Sequence, residues 1–337
     1  MGADPIIPTQ IEQVTADWLS SVLNQSIDPE TVQSEKIGTD FGFASQLYRI
    51  SYNESSLVVK FWPTATIGTR EILFYQSFHD SDSRIPHCYY SGSDDQKQRA
   101  ILLLEDFTQA AQGDVLKKLN LEQAKNLADA LAQLHTKWHN HELVTSASWL
   151  HDARTWKPKA DWIQGRRETF KQRFPGRLNQ PAMELLDNLE QAIKMGETRL
   201  KNQPITLLHG DFHLDNVLFN NGTIPILLDW DRPTAGAPAI NLASLLFEMI
   251  SLDHFDIVLD LYSDRFNGLI DKSAWVTALS GAFIRNFCRL TCGIARWEPT
   301  LLRAVAIIDD GIENANLMAD FWQQRDPDLL RFNFAKK

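Results

Sequence analysis

Acidic and amide side chains follow short apolar runs between residues 205 and 231. Asp211 lies just after the run 205–208, Asn216 comes five residues later, and Asp229 ends the run 224–228. Phosphoryl transfer needs a carboxylate to orient and deprotonate the attacking hydroxyl, and oxygen ligands that hold Mg²⁺ against the phosphates. These residue types can perform that chemistry if the fold brings them together.

A turn sequence between Asn216 and Asp229 favours their convergence. Asn220, Asn221 and Gly222 are residues that tight hairpin turns require. If the flanking strands pair as a hairpin, their outer ends meet, and we expect Asn216 and Asp229 to lie beside the Asp211 loop.

The complete pattern is His-Gly-Asp-x-His-x-x-Asn over residues 209–216, then apolar residues, then Asp-Trp-Asp over residues 229–231. It resembles the catalytic and metal-binding loops of the aminoglycoside phosphotransferase and choline kinase superfamily, which are counterparts of protein-kinase loops. The resemblance implies that Asp211 is the catalytic base and that Asn216 and Asp229 are magnesium ligands. Asp231 resembles an acidic position that lines the acceptor pocket of choline kinases.

The two histidines of the pattern have different interpretations. We interpret His209 as a buried histidine that braces the loop, whereas His213 either braces it or lines the acceptor pocket. A metallohydrolase is an alternative, because His209, Asp211 and His213 alternate as metal ligands on a strand can. That alternative leaves Asn216 and Asp229 without a role.

The N-terminal half contains the residues that a nucleotide kinase of this type needs. Such an enzyme places a lysine on an internal strand to hold the nucleotide phosphates, and a helix glutamate fixes that lysine. Lys60, in an apolar run, resembles the family's strand lysine, and Glu71 begins the next helical pattern. The segment 37–45 precedes this strand pair, and it could cover phosphates through the Ser45 hydroxyl or backbone N–H groups.

The run 102–107 lies where the resemblance places a kinase hinge. There the backbone of Glu105 and Phe107 would read the edge of adenine while apolar neighbours enclose the ring. For the side chains of Glu105 and Asp106 we expect only solvation.

The hydrophobic pattern changes near residue 105. The runs 46–52, 57–62 and 100–104 predict strands, the first two as an antiparallel hairpin, and residues 10–24 and 69–79 predict helices, the first capped by Thr15. Later helices are predicted at 121–139, 160–173, 181–201, 240–251, 273–292 and 299–322. The prediction is an α+β, two-lobed protein-kinase-like fold, with an antiparallel-sheet nucleotide-binding lobe (1–105) and a mainly helical C-terminal lobe (106–337) that carries the catalytic loop and acceptor site.

One position departs from the family pattern. The Asp-Leu-Ala sequence that usually begins the next helix, where the Asp braces the catalytic loop, is replaced by Asn241, Leu242 and Ala243. Asparagine can cap a helix and accept a hydrogen bond, but it carries no charge. A catalytically inactive, kinase-like nucleotide-binding or adaptor protein is therefore the alternative to an active kinase.

The composition limits the kinds of molecule that the protein is expected to bind. A net charge of −10 argues against broad nucleic-acid binding and is compatible with a cationic or polar acceptor. Three cysteines do not suggest a disulfide framework, and Arg285 and Arg289 interrupt the most apolar late segment, so we expect no membrane span and a cytoplasmic location. The expected cofactors are ATP and Mg²⁺, and the expected partner is a small-molecule hydroxyl acceptor whose identity the sequence does not reveal.

Aromatic residues are candidates for the wall of the acceptor pocket, since such sites are largely apolar and aromatic. The segment 131–138 resembles a helix end found in the ecdysteroid-kinase-like branch. The candidates are Trp138, Trp149, Trp156 and Trp162.

Overall fold

The computed structural model describes residues 7–38, 45–62, 65–78, 84–94, 99–266, 270 and 272–326. The strands are β1 (Gln33–Ile37), β2 (Gln46–Tyr52), β3 (Ser55–Phe61), β4 (Cys88–Asp94), β5 (Arg99–Glu105), β6 (Ala111–Gln112), β7 (Thr206–Leu208), β8 (Val217–Asn220), β9 (Ile224–Leu227) and β10 (Thr234–Gly236). The α helices are α1 (Ala16–Leu23), α2 (Ala65–Phe78), α3 (Leu121–Lys137), α4 (Glu142–Thr145), α5 (Ala160–Arg173), α6 (Gln180–Asp187), α7 (Leu189–Leu200), α8 (Ala239–Ser244), α9 (Phe255–Arg265), α10 (Lys272–Ile294) and α11 (Leu302–Arg325).

A five-stranded antiparallel sheet in the order β1-β2-β3-β5-β4 carries Lys60, the predicted strand lysine. Its central strand, β3, places Leu57, Val59 and Phe61 in a buried core to which α1 also contributes. Lys60, between Val59 and Phe61, projects from the other face, because successive side chains of a strand alternate. The predicted α+β class and antiparallel hairpin are thus confirmed.

Local signals set the ends of several elements. The Thr15 side chain accepts a hydrogen bond from Trp18 N at 3.2 Å, as expected for the cap of α1. Residues before this cap do not extend the helix: Ile11–Gln13 form a short 3-10 turn instead. At α3, Asn120 and Gln123 form a reciprocal capping box.

The predicted hairpin around Asn220–Gly222 is present. Strands β8 and β9 pair antiparallel, and the turn residues Asn221 and Gly222 have φ angles of 50° and 80°. The earlier run, β7, pairs with β10 in a separate two-stranded sheet. The hairpin therefore joins Asn216 at its start to Asp229 just after its end.

Several elements differ from the sequence predictions. Strands β1 and β4 were missed: β1 is a polar, mostly exposed edge strand, and a register shift between Cys88 and Tyr90 interrupts β4. The helix predicted over 181–201 is two helices, α6 and α7, separated at Asn188. In place of the helix predicted over 240–251, the structure has the short helix α8 followed by a π turn, Leu245–Met249. Helix α9 was not predicted.

Two compact units result. The first comprises residues 1–113, 209–211 and 215–233, and the second comprises 114–208, 212–214 and 234–337. The assignment of nucleotide binding to residues 1–105 and of the acceptor site to 106–337 stays a prediction. Among the helices that the structure describes, none is both long and apolar enough to cross a membrane.

Candidate active site

A buried lysine links two carboxylates in the first unit. Lys60 Nζ on β3 lies 2.6 Å from Glu71 Oε2 on α2 and 2.5 Å from Asp229 Oδ1, which follows β9. The Lys60 and Glu71 side chains are 7% and 1% exposed, whereas that of Asp229 is 41% exposed. The sheet, its helix and the hairpin thus meet at one ammonium group.

The charges of this network are strongly coupled. Burial raises the pKa of Glu71 to about 7, although the Lys60 ammonium opposes that shift. Burial alone would lower the pKa of Lys60, but attraction to Glu71 and Asp229 raises it above its ordinary value. Lys60 is therefore a permanent cation at the site at neutral pH.

The loop that precedes Asp211 is held by His209. Its Nε2 lies 2.6 Å from the Leu228 carbonyl oxygen, and its ring lies 4.5 Å from that of Trp230. The contact fixes Nε2 as the donor, because a carbonyl oxygen only accepts. These contacts support the bracing interpretation of His209.

Gly210 is needed for the shape of this loop. Its φ is +81°, and a Cβ at this position would lie 1.6 Å from the Arg232 carbonyl oxygen. The left-handed conformation and the close approach of the two backbones both exclude a side chain. The glycine of the motif thus lets the Asp211 loop pack against the segment after Asp229.

Asp211, Asn216 and Asp229 converge as the sequence predicted. Asn216 Nδ2 donates to the Asp211 carbonyl oxygen at 3.0 Å, and Leu228 N donates to the Asn216 carbonyl oxygen at 2.9 Å. Asp229 itself has φ +59°, an uncommon left-handed conformation for a non-glycine residue that is often found at functional sites.

Asp231 adds a further carboxylate beside this group. Burial raises its pKa to about 6, and the negative charge of Asp229 raises it further. Its Oδ1 is buried and, among the described residues, has no hydrogen-bond partner, while its other oxygen lies 3.7 Å from Arg232 Nε. A buried carboxylate oxygen of this kind fits a site that is completed by a ligand.

The donors fit a magnesium ion held mainly by substrate. Mg²⁺ prefers oxygen ligands and is commonly bound through one or two carboxylates together with phosphates and water. Asn216 and Asp229 supply that number of side chains. In the described part of the chain, there is no cluster of three or more His, Cys, Asp or Glu residues that would form an all-protein metal site.

The side chains after β5 are not simply solvated, contrary to the expectation for Glu105 and Asp106. The Asp106 carboxylate is 3% exposed and accepts from Arg49 Nε at 2.7 Å and from Ser56 Oγ at 2.7 Å. Glu105 Oε2 accepts from His87 N at 3.1 Å. The sequence prediction missed the role of Arg49, whose only signal was a charge on an otherwise half-buried strand.

The remaining predicted residues have less specific surroundings. Ser45 is half-buried and precedes β2, while residues 39–44 of the predicted phosphate-covering segment lie outside the described residues. Phe107 is half-buried, and its carbonyl oxygen accepts from Ala110 N at 3.0 Å. His213 is half-buried and belongs to the second unit. Phosphate, adenine and acceptor contacts of these residues stay predictions.

Within the second unit, Asn241 has a specific partner. Its Oδ1 lies 3.3 Å from His135 Nε2, and the other ring nitrogen of His135 lies 2.6 Å from the Tyr262 hydroxyl. Burial lowers the pKa of His135 to about 4, so the imidazole is neutral and donates from Nε2 to Asn241. Thr206 Oγ1 on β7 donates to the His135 carbonyl oxygen at 2.8 Å, which connects this network to the strand that precedes His209.

The profile of the phosphotransferase enzyme family matches residues 40–275. No curated protein sequence matches the chain significantly.

Solved structures of kinases share the fold. Spectinomycin phosphotransferase in complex with ADP and spectinomycin superposes with a TM-score of 0.61 at 16% identity, covering 93% of this chain and 99% of that one. The GDP complex of an aminoglycoside 2'-phosphotransferase mutant gives 0.55 at 17% identity, covering 91% and 96%. A choline kinase from Streptococcus pneumoniae gives 0.52 at 16% identity, covering 90% and 98%. The two-lobed kinase-like fold predicted from the sequence is confirmed.

Proposed function

Because the chain belongs to the phosphotransferase enzyme family, whose members act on hydroxyl groups of small molecules, we propose that it transfers the γ-phosphoryl group of ATP, with Mg²⁺, to a hydroxyl of a metabolite or an antibiotic-like acceptor. The observation that carries this proposal is the contact of Lys60 with both Glu71 and Asp229. A lysine used only for stability would need one counter-ion. The second carboxylate, that of the half-exposed Asp229, brings the lysine next to a proposed metal ligand, as a phosphoryl-transfer site requires.

In this proposal each polar group has one task. Lys60, positioned by Glu71, pairs with the nucleotide phosphates, and Asn216 and Asp229 hold the metal. The metal, when bound, neutralises charge on the phosphates. Asp211 orients the acceptor hydroxyl and takes its proton, and positioning and charge neutralisation supply most of the rate.

The acceptor side rests on fewer observations. Asp231, with its buried Oδ1, is proposed to meet the acceptor, and His213 is proposed to line the same pocket. A carboxylate at that position favours an acceptor that carries a positive charge or several hydroxyl groups. Ser45 and the backbone of Glu105 and Phe107 are proposed to contact the nucleotide, and a cytoplasmic location is proposed because ATP is abundant there.

An inactive kinase-like protein is the second candidate, and Asn241 is the observation that favours it. The neutral amide cannot supply the charge that the usual aspartate gives to the catalytic loop. Its hydrogen bond with His135 offers a different brace, which connects through Thr206 to β7. An ATP-turnover assay against a panel of hydroxylated metabolites and antibiotics separates the two candidates, since an inactive protein binds ATP without acceptor-dependent ADP release.

Asp211→Asn is the decisive variant once an acceptor is found. We expect turnover to fall by about 10²–10⁴-fold while ATP affinity stays within about threefold of wild type, because a positioned base acts on the hydroxyl and not on nucleotide binding. Asp215→Asn, the same isosteric change in the same loop, is the matched control and should retain near-wild-type turnover. If Asp211→Asn kept more than about a tenth of wild-type turnover, Asp211 would not be the base.

A further inference from the structure

Two buried polar atoms on α2 have no hydrogen-bond partner among the described residues. They are Oε1 of Glu71 and the hydroxyl oxygen of Tyr75, and both residues are fully buried. An unpaired buried hydroxyl or carboxylate oxygen costs free energy, so such atoms are normally paired with the protein or with an ordered water. The other oxygen of the same carboxylate, Glu71 Oε2, accepts from Lys60 Nζ, which places the unpaired atoms beside the lysine network of the candidate site.

The helix directs the two groups toward each other. Residues four positions apart lie on the same face of an α helix, and a helical side chain leans toward the N-terminal end, over the preceding turn. The Tyr75 side chain is therefore directed toward the turn that carries Glu71. The Phe74 ring packs edge to face against that of Tyr75, with the ring centroids 5.2 Å apart, and supports the phenol in this position.

The charges agree with this proximity. Burial raises the pKa of Tyr75 well above its ordinary value, and the negative charge of Glu71 makes the largest electrostatic contribution in the same direction. The Tyr75 hydroxyl is thus protonated at neutral pH and can donate, while a carboxylate oxygen accepts. The unused donor and the unused acceptor are therefore complementary.

The other polar groups whose charge acts on Tyr75 already have partners. They are Cys88 and Asp229. The Cys88 thiol donates to a backbone carbonyl oxygen at 3.3 Å, and the Asp229 carboxylate contacts Lys60. Within the described ranges, Glu71 is the one of these groups that keeps a buried oxygen without a hydrogen bond.

We propose that the Tyr75 hydroxyl donates to Glu71 Oε1, directly or through one buried water, and that Tyr75 is thereby a positioning residue for the phosphate-binding lysine. This inference rests on the proposed function. With Oε1 held by Tyr75, the carboxylate presents Oε2 to Lys60. Glu71 is the contact of Lys60 that is not also a proposed metal ligand, so its orientation determines where the ammonium lies when nucleotide is bound.

Nucleotide binding to Tyr75→Phe, measured by calorimetry, tests this role. The substitution removes one oxygen atom and keeps the ring. We expect the Kd of ADP, with Mg²⁺ present, to rise by about three- to tenfold, because a hydrogen bond that orients the phosphate-binding group is lost. The Kd of adenosine, which has no phosphates for Lys60 to bind, should stay within about twofold of wild type. A merely structural role of Tyr75 would weaken both ligands alike.

Two comparisons assign the effect to Glu71. Tyr48→Phe removes the same atom from the face of the sheet opposite Lys60, where Tyr48 packs against Phe61, and it should leave both affinities unchanged. In the Glu71→Ala background, Tyr75→Phe should not weaken ADP binding further, because Tyr75 acts through Glu71. Additive losses in the double variant would contradict that route.

A high-resolution crystal structure of the wild-type protein shows the contact itself, independently of nucleotide binding. We expect the Tyr75 hydroxyl in contact with Glu71 Oε1, or one water within hydrogen-bond distance of both. If neither is present, or if Tyr75→Phe binds ADP as wild type does, this inference is wrong while the proposed function stands. If the wild-type protein does not bind ADP at all, the proposed function fails, and the role of Tyr75 fails with it.

Discussion

Removal of Lys60 should destabilise the protein far more than removal of Glu71, although the two side chains form one ion pair. In Lys60→Met, the Glu71 carboxylate stays buried with 1% exposure and loses its cation. Breaking a buried pair from one side typically costs about 3–5 kcal/mol. In Glu71→Gln, by contrast, Lys60 keeps Asp229 at 2.5 Å and a neutral acceptor in place of Glu71, so we expect a change below about 1 kcal/mol.

The pH dependence of the Lys60→Met variant follows from the same network. The pKa of Glu71 is about 7 in wild type and rises further when Lys60 is absent, while the unfolded chain has an ordinary glutamate. A raised folded-state pKa gives stability that is present at low pH and is lost as pH rises. Above pH 7, where wild-type Glu71 is ionised, the variant should keep losing about 1.4 kcal/mol per pH unit while Glu71 remains protonated.

Urea unfolding of each variant, followed by circular dichroism at pH 5.5, 7.0 and 8.5, measures both effects. Lys36→Met is the matched control, because it removes an exposed strand lysine and should change stability by less than about 0.5 kcal/mol. The double variant Lys60→Met/Glu71→Gln should lose the excess slope above pH 7. Equal losses for Lys60→Met and Glu71→Gln, or a Lys60→Met loss that does not change with pH, would refute the reasoning.

Two further substitutions probe the frame of the site. Gly210→Ala should lower turnover by at least about tenfold and destabilise the chain, because its Cβ would meet the Arg232 carbonyl oxygen; activity assays and urea unfolding check this, and wild-type behaviour would contradict the loop geometry. Asp106→Ala should weaken ATP binding and lower the free energy of unfolding by about 2–3 kcal/mol, because Arg49 would lose its buried acceptor. Calorimetry with ATP measures the affinity. An unchanged affinity would show that the contact between Arg49 and Asp106 does not support nucleotide binding at the hinge.

The convergence of the candidate site residues could be predicted from the sequence because these residues are close along the chain. Asp211, Asn216 and Asp229 are placed by one loop and one hairpin, and the hairpin turn is encoded by Asn221 and Gly222, which tolerate the positive φ that the turn requires. Strand β2 and helix α5 were also predicted at their observed bounds, and the alternating polarity of β2 is a local signal of a half-buried strand.

Tertiary context decided what local patterns could not. Edge strand β1 lacks an apolar face, so nothing in its sequence distinguishes it from a loop. It is a strand because its backbone pairs with that of β2. The partners of Asp106 are distant in sequence, on β2 and β3, and only the register of the sheet brings Arg49 and Ser56 to it.

The same division holds for charge and protonation. The sequence by itself determined which side chains are candidates for phosphoryl transfer, since residue type and short spacing limit their chemistry. Only the tertiary structure decided that Lys60 serves two carboxylates, that His135 is neutral beside Asn241, and that the Tyr75 hydroxyl is buried on the same helix face as Glu71. These properties depend on burial and on contacts between distant segments, because the pKa of a group and the cost of its charge are set by the groups that exclude water from it.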